Sequence, residues 1–148
     1  MFRACNLGLE PCFPFPHHIQ TLTMSHIKIY YSDHLLEPEE KDVVAAKLTD
    51  LYADLCDTPA QAVKIIFHSL GLWSFWSGGH RAQMYVHVEA KVKKAISGKG
   101  RFALLRETHD VVKAALNEKG EKAEIQTQVL ELEASEGTMT NGQMDPWS

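Results

Sequence analysis

The side chains best suited to chemistry occupy alternate positions in two apolar segments near the middle of the chain. Lys64 and His68 belong to the first segment, and Tyr85 and His87 belong to the second. A lysine binds a carboxylate as a point charge, and an imidazole can take up or release a proton near neutral pH. A metal site would need a third ligand, and the neighbouring residues offer no spacing that supplies one. We therefore expect no metal here; the histidines either contact a substrate or form hydrogen bonds within a sheet.

An aromatic loop joins these two segments and contains Trp73, Phe75 and Trp76. Such large rings need a surface to pack against, so they either line a pocket for a ring-bearing or unsaturated acid or form a subunit contact. Two glycines follow and permit a tight turn. The next residues, His80 and Arg81, could reach a carboxylate from a flexible loop, and solvent exposure is the alternative reading.

Hydrophobic periodicity predicts the elements that position these groups. The predicted elements are a strand at 26–32, a helix at 38–56, strands at 63–68 and 84–91, a helix whose apolar side carries Phe102, Leu105, Val112 and Leu116 and which ends at 117–120, and a strand at 123–133. Before the second helix, Gly98 and Gly100 predict a basic turn. Two consecutive βαβ units predict an α+β fold, with a four-stranded sheet and two helices on one face. The ferredoxin-like sandwich and a fold in which each unit supplies two parallel strands both fit this order.

The last predicted strand changes phase along its length. Ile125 and Val129 share one face, whereas Leu130 and Leu132 are apolar on the other face. This change predicts either a bulge or pairing with a neighbouring subunit. Beyond the strand the apolar pattern fades, with Trp147 as a possible docking point.

Composition bounds the class of protein. The chain has 148 residues, of which 45% are hydrophobic and 23% charged, so it can bury one core. A net charge of -4 without a basic stripe argues against nucleic acid as a partner. No apolar run approaches the roughly 20 residues that cross a bilayer, so we expect a soluble protein with no membrane partner. Three cysteines in no recognisable pattern favour a reducing, cytoplasmic compartment.

The ends of the chain differ from its centre. Three prolines within six residues near the amino terminus fit neither a secretory signal nor a mitochondrial presequence. We therefore predict a flexible extension at 1–24, a domain at 25–134 and a flexible tail at 135–148.

Residues 25–35 read SHIKIYYSDHL, and this order resembles the amino terminus of 5-carboxymethyl-2-hydroxymuconate isomerase, which reads Pro-His-x-Ile followed shortly by Ser-Asp. Residues 63–68, Trp73 and the segment at 79–91 are similar to the second strand, aromatic loop and third strand of that isomerase. The loop at 78–79 looks more distantly like macrophage migration inhibitory factor, a member of the same tautomerase superfamily.

The resemblance spans residues 25 to about 133 and implies a tautomerase fold. It implies a homotrimer with a central barrel of sheets, outer helices and active sites between subunits. The implied reaction is a keto–enol or double-bond isomerisation that needs no metal or organic cofactor. The base in these enzymes is the secondary amine of an amino-terminal proline. An amine of this kind has an ordinary pKa near 8, and an apolar pocket lowers its pKa so that it can accept a proton from carbon.

Five residues form the predicted site, and the resemblance assigns roles to three of them: Ser25, Lys64 and Lys91. Ser25 stands at the position of the catalytic proline. Lys64 stands where the isomerase has an arginine that could hold a substrate carboxylate, and Lys91 matches a lysine of the isomerase. His68 and Trp73 complete the predicted substrate-binding residues. The implied ligand is a small unsaturated 2-oxo or 2-hydroxy acid.

The serine leaves the activity open. If the chain starts at Met1, the nitrogen of Ser25 is a peptide amide with no basicity. If translation starts at Met24 and this methionine is removed, Ser25 carries a primary amine that could act as a base or form a Schiff base. We expect weak, altered or absent isomerase activity. The alternative is a non-catalytic protein on the same trimeric scaffold that binds a small acid or another protein.

Overall fold

Two βαβ units build one four-stranded sheet in this computed structural model, which describes residues 25–71, 73–81, 84–93, 98–132, 138–140 and 143–145. The helices are α1 (Pro38–Leu55) and α2 (Gly98–Leu116). The strands are β1 (Ser25–Ser32), β2 (Val63–Leu70), β3 (Trp76–Ser77), β4 (His80–Arg81), β5 (Tyr85–Lys93), β6 (Glu124–Leu132), β7 (Thr138–Thr140) and β8 (Gln143–Asp145). The predicted strands and the first helix are confirmed, and each of their ends lies within two residues of its predicted position.

The sheet order separates the two folds that the sequence allowed. Its strands lie in the order β2-β1-β5-β6. β1 is parallel to β2, β5 is parallel to β6, and the two pairs meet through the antiparallel β1–β5 contact. The two strands of each βαβ unit are therefore neighbours, whereas the ferredoxin-like sandwich splits them with a strand from the other unit. Each unit thus supplies two parallel strands, as the second alternative predicts.

Both helices cover one face of this sheet, and the core lies between the helices and the sheet. Ile27 and Ile29 of β1 are fully buried there, as their alternation predicts. The remaining fully buried hydrophobic residues are Val44, Leu48 and Tyr52 of α1, Val86, Val88, Ala90 and Val92 of β5, and Leu104, Val112 and Leu116 of α2. The opposite face of the sheet, called the open face below, carries the alternate residues.

The predicted apolar side of α2 is wrong in its first half. Phe102 is exposed, and its ring lies 5.0 Å from the Arg106 guanidinium. The buried stripe instead includes Leu104 and Thr108, which precede Val112 at steps of four. Thr108 is tolerated in the core because its hydroxyl forms a 3.0 Å hydrogen bond with Tyr52 of α1. Apolar periodicity alone does not predict the burial of this threonine.

One further local prediction is wrong, and one of two alternatives for the last strand is excluded. Gly98 and Gly100 belong to the first turn of α2, and not to a turn before it. β6 contains no bulge, because its pairing with β5 runs without interruption from Glu124 to Leu132. The pairing of β6 with a neighbouring subunit stays a prediction. In the predicted tail, β7 and β8 form an antiparallel pair, and Trp147 lies outside the described residues, as does the predicted extension at 1–24.

A hydrogen-bonded cluster fixes the start of α1 against the 3₁₀ turn at Asn117–Glu121, which follows α2. Glu40 accepts a 2.9 Å hydrogen bond from the Glu37 amide, and Lys119 donates to Glu40 at 3.1 Å and to the Leu35 carbonyl at 2.8 Å. Partial burial by itself raises the pKa of Glu40. The Glu37 amide and the Lys119 ammonium together outweigh this effect and hold the pKa below its ordinary value.

Glu40→Gln should therefore flatten the acid dependence of stability. A carboxyl whose pKa is depressed in the folded state stabilises the protein above its unfolded-state pKa, about 4.3, and loses this contribution as pH falls through the folded value. Chemical denaturation at several pH values between 7 and 3 measures the free energy of unfolding. The substituted protein should lose less stability on acidification than the parent. Glu39→Gln, at an exposed neighbour, is the control; an equal flattening in both variants would contradict this assignment.

Candidate active site

Ser25 opens β1 with its side chain on the helix-covered face. It is 1% exposed and pairs with Val63 of β2. Its hydroxyl lies beside the thiol of Cys56, the residue that directly follows α1. Burial raises the pKa of this thiol, and the serine hydroxyl offsets only part of the rise. Since the thiolate is the nucleophilic form of a cysteine, this burial disfavours a nucleophilic role for Cys56 and favours a packing role.

The two lysines predicted to bind substrate flank the start of β1 on the open face. His26 pairs with Lys64 on one side and with Lys91 on the other. Since neighbouring strands lie about 4.8 Å apart, the two lysine backbones are roughly 10 Å apart. Ser25 directly precedes His26 in the chain. The structure thus gathers three of the five predicted site residues, far apart in sequence, at one end of the sheet.

The ammonium groups of these lysines are only lightly engaged. Lys64 Nζ donates a 2.7 Å hydrogen bond to the Gln61 carbonyl, and Lys91 Nζ lies 4.0 Å from a Glu89 carboxylate oxygen. Both side chains are partly or largely exposed. An incoming carboxylate could replace either contact at a small cost in free energy, because exposed polar contacts of this kind contribute little to stability.

The other two predicted site residues lie at the opposite end of the sheet. His68 is four residues beyond Lys64 on β2, a separation of about 13 Å along a strand. Trp73 follows the end of β2 and is farther still. Within one protomer the structure therefore does not bring His68 and Trp73 together with Ser25.

A row of rings crosses the open face at this second end. The Tyr30 ring stacks on His68, with centroids 4.9 Å apart, and lies 6.1 Å from His87. Gln126 Oε1 accepts a 2.9 Å hydrogen bond from Tyr85 and lies 3.1 Å from His87 Nδ1. Desolvation, with a smaller contribution from Glu124, raises the pKa of Tyr85. The two histidines share this face with Tyr30 and Gln126, two residues that the site prediction missed although their alternation placed them there.

The aromatic loop contains a short hairpin. β3 and β4 pair around Gly78 and Gly79, whose φ angles of 57° and 81° favour glycine. Phe75 stacks on Tyr85 with a centroid distance of 3.6 Å and thereby attaches the hairpin to the open face. Trp73 and Trp76 remain 72% and 56% exposed.

Two kinds of feature are absent from the described residues. Among the described residues, no group of three or more histidine, cysteine or acidic side chains is placed to hold a metal ion. No helix in the same part of the chain is long and apolar enough to cross a membrane.

A family model described as "Putative oxalocrotonate tautomerase enzyme" matches residues 24–147. The chain belongs to this tautomerase family. The match begins one residue before Ser25 and runs through β7 and β8. No curated protein matches the chain.

Solved structures agree with this tautomerase assignment at the level of the fold. N1, a member of the cis-3-chloroacrylic acid dehalogenase family, is 20% identical with a TM-score of 0.70, over 82% of this chain and 83% of its own. A probable enzyme from the thermophilic fungus Aspergillus fumigatus is 22% identical with a TM-score of 0.69, over 82% and 83%. A fused 4-OT wild-type symmetric trimer is 16% identical with a TM-score of 0.67, over 79% and 93%. A specific relation to carboxymethyl-hydroxymuconate isomerase stays a prediction.

Proposed function

We propose that this tautomerase is a cofactor-independent isomerase of a small unsaturated 2-oxo or 2-hydroxy acid, and that its catalytic form begins at Ser25. The observation that carries the proposal is the position of Ser25 at the start of β1, next to the strand position that Lys64 and Lys91 flank. This end of the sheet combines a place for an amino-terminal amine with two cations for a carboxylate.

The proposed reaction is a proton transfer between carbon and the Ser25 amine. The substrate carboxylate binds the ammonium groups of Lys64 and Lys91 as point charges. Burial and the nearby positive charges both disfavour a protonated amine, so they lower its pKa from an ordinary value near 8. The neutral amine removes a proton from the carbon beside the keto group, and the electron pair of the broken C–H bond forms an enolate. The resulting ammonium then returns the proton to oxygen or to another carbon.

A chain that retains the residues before Ser25 has a different proposed role. The nitrogen of Ser25 is then a peptide amide, which has no lone pair basic enough for this step. Such a chain keeps both lysines and would bind the acid without converting it. The two forms thus correspond to an isomerase and to a small-acid-binding protein on the same scaffold.

We further propose that the protein works as a homotrimer in the cytoplasm. The trimer is supported by the symmetric trimer among the structural relatives and by the open face, where Ile66 and His68 are exposed and Tyr30 and His87 are only partly buried in one protomer. The cytoplasmic location is supported by Cys56, a free thiol.

The direct test compares two purified forms that begin at Met1 and at Ser25. Enolisation of phenylpyruvate, followed by ultraviolet absorbance, should be measurable for the Ser25 form and absent for the Met1 form. Mass spectrometry must confirm both amino termini. Acetylation of the Ser25 amine, with Lys64 and Lys91 shown by mass spectrometry to be unmodified, should abolish the activity, because an acetylated nitrogen is an amide. Equal rates for both forms would contradict an amine base.

A further inference from the structure

The aromatic hairpin, residues 73–81, places one guanidinium over an indole ring and on the same face as a second indole. Trp76 and Arg81 are directly opposed in the β3–β4 pair, so their side chains leave the same face of the hairpin. The Arg81 guanidinium carbon also lies 4.1 Å from the centroid of the Trp73 ring. The hairpin therefore presents a cation stacked on the Trp73 ring, with the Trp76 side chain on the same face.

Arg81 has no acidic partner among the described residues, which distinguishes it from Arg101, whose guanidinium pairs with Glu131. Stacking on an indole occupies the flat face of a guanidinium and leaves the N–H donors at its edge available. Those donors match the two oxygens of a carboxylate in a bidentate contact. The exposed parts of both indoles are available to a ring attached to that carboxylate.

The hairpin is also held in place before any ligand arrives. A two-residue turn with positive φ at both glycines joins its strands, and Phe75 stacks on Tyr85 of the sheet. A binding surface that is already ordered loses less conformational entropy on binding. The hairpin follows the end of β2. Lys64 lies near the beginning of β2, and Ser25 of β1 pairs with the first residue of β2. The hairpin and the proposed isomerase site are therefore separate within a protomer.

We propose that Arg81, Trp73 and Trp76 form a binding site for a small aromatic carboxylate. The carboxylate pairs with the edge of the Arg81 guanidinium, and the ligand ring packs against the indoles. This site is independent of the proposed isomerase activity, because it requires neither the Ser25 amine nor the two lysines near it.

The test titrates the full chain, beginning at Met1, with phenylacetate and follows the indole N–H signals by NMR. Saturable shifts are expected, with binding weakened at least about tenfold by Arg81→Gln and by Trp73→Leu. Arg106→Gln is the matched control, because that guanidinium lies over Phe102 on α2, far along the chain from the hairpin. It should leave the binding constant unchanged.

Two further ligands test each half of the proposed contact. Benzyl alcohol, which lacks the charge, and acetate, which lacks the ring, should each bind at least about tenfold more weakly than phenylacetate.

Four results would overturn the proposal. These are the absence of saturable shifts, equal affinity in Arg81→Gln, acetate binding as tightly as phenylacetate, and loss of binding in Lys64→Met but not in Arg81→Gln. If instead iodide fails to quench the indole fluorescence and phenylacetate does not bind, copies of the chain cover the hairpin and the proposal is wrong. None of these results bears on enolisation by the Ser25 form, so the two proposals fail separately.

Discussion

A chain that begins at residue 25 with proline in place of serine should enolise phenylpyruvate at least about a hundredfold faster than the chain that begins at Met1. A positioned general base contributes about a hundredfold to ten-thousandfold to a rate, and the Met1 chain has only an amide at this place. Proline is tolerated at the first residue of a strand, so β1 can still form. Its pyrrolidine ring also fixes the secondary amine relative to Cα, which restricts where the lone pair points.

The matched control for Ser25→Pro is Ser25→Ala in the same shortened chain. Alanine keeps a primary amine and removes only the hydroxyl beside Cys56, so its rate should equal that of the serine form. A rate well below the serine form would show that the hydroxyl takes part. If the proline form is folded and as inactive as the Met1 chain, the rest of the site cannot support the reaction and the proposed isomerase is wrong.

Periodicity predicted the parts of this fold in which one face of an element is uniformly apolar. Ile27 and Ile29 alternate with polar residues, and their burial follows directly from the pleat of a strand. The face of α2 was harder to predict because Thr108 interrupts its apolar stripe. Its burial depends on a hydrogen bond to Tyr52, which lies 56 residues earlier. A single sequence contains no local signal for such a long-range partner.

The strand pairing at the candidate site could not be predicted from a single sequence for the same reason. Alternation placed Lys64 and Lys91 on polar faces of separate strands, and the resemblance assigned both to substrate. Neither kind of argument showed that His26 lies between them, because that depends on one parallel and one antiparallel pairing. The contact between Trp73 and Arg81 was hidden for a related reason, since it exists only once the hairpin closes.

The open face should prove to be the contact surface of the proposed trimer, and Ile66→Lys should dissociate it. Ile66 is 45% exposed on the open face and pairs with Lys28 of β1. A second lysine there places like charges directly opposite each other, and assembly would bury both charges at a cost of several kcal/mol. The mass in solution should therefore fall from about three times 16.7 kDa to that of a single chain.

Val43→Lys is the matched control for this change. Val43 is 46% exposed, nearly the same fraction as Ile66, but it lies on α1 and away from the open face. Both variants add the same charge to a half-exposed aliphatic position, so only a difference in location can separate them. Sedimentation equilibrium should show a trimer for Val43→Lys and a monomer for Ile66→Lys, with circular dichroism confirming that both are folded. A trimer in both variants would exclude the open face as the contact, and a monomeric parent would exclude the trimer itself.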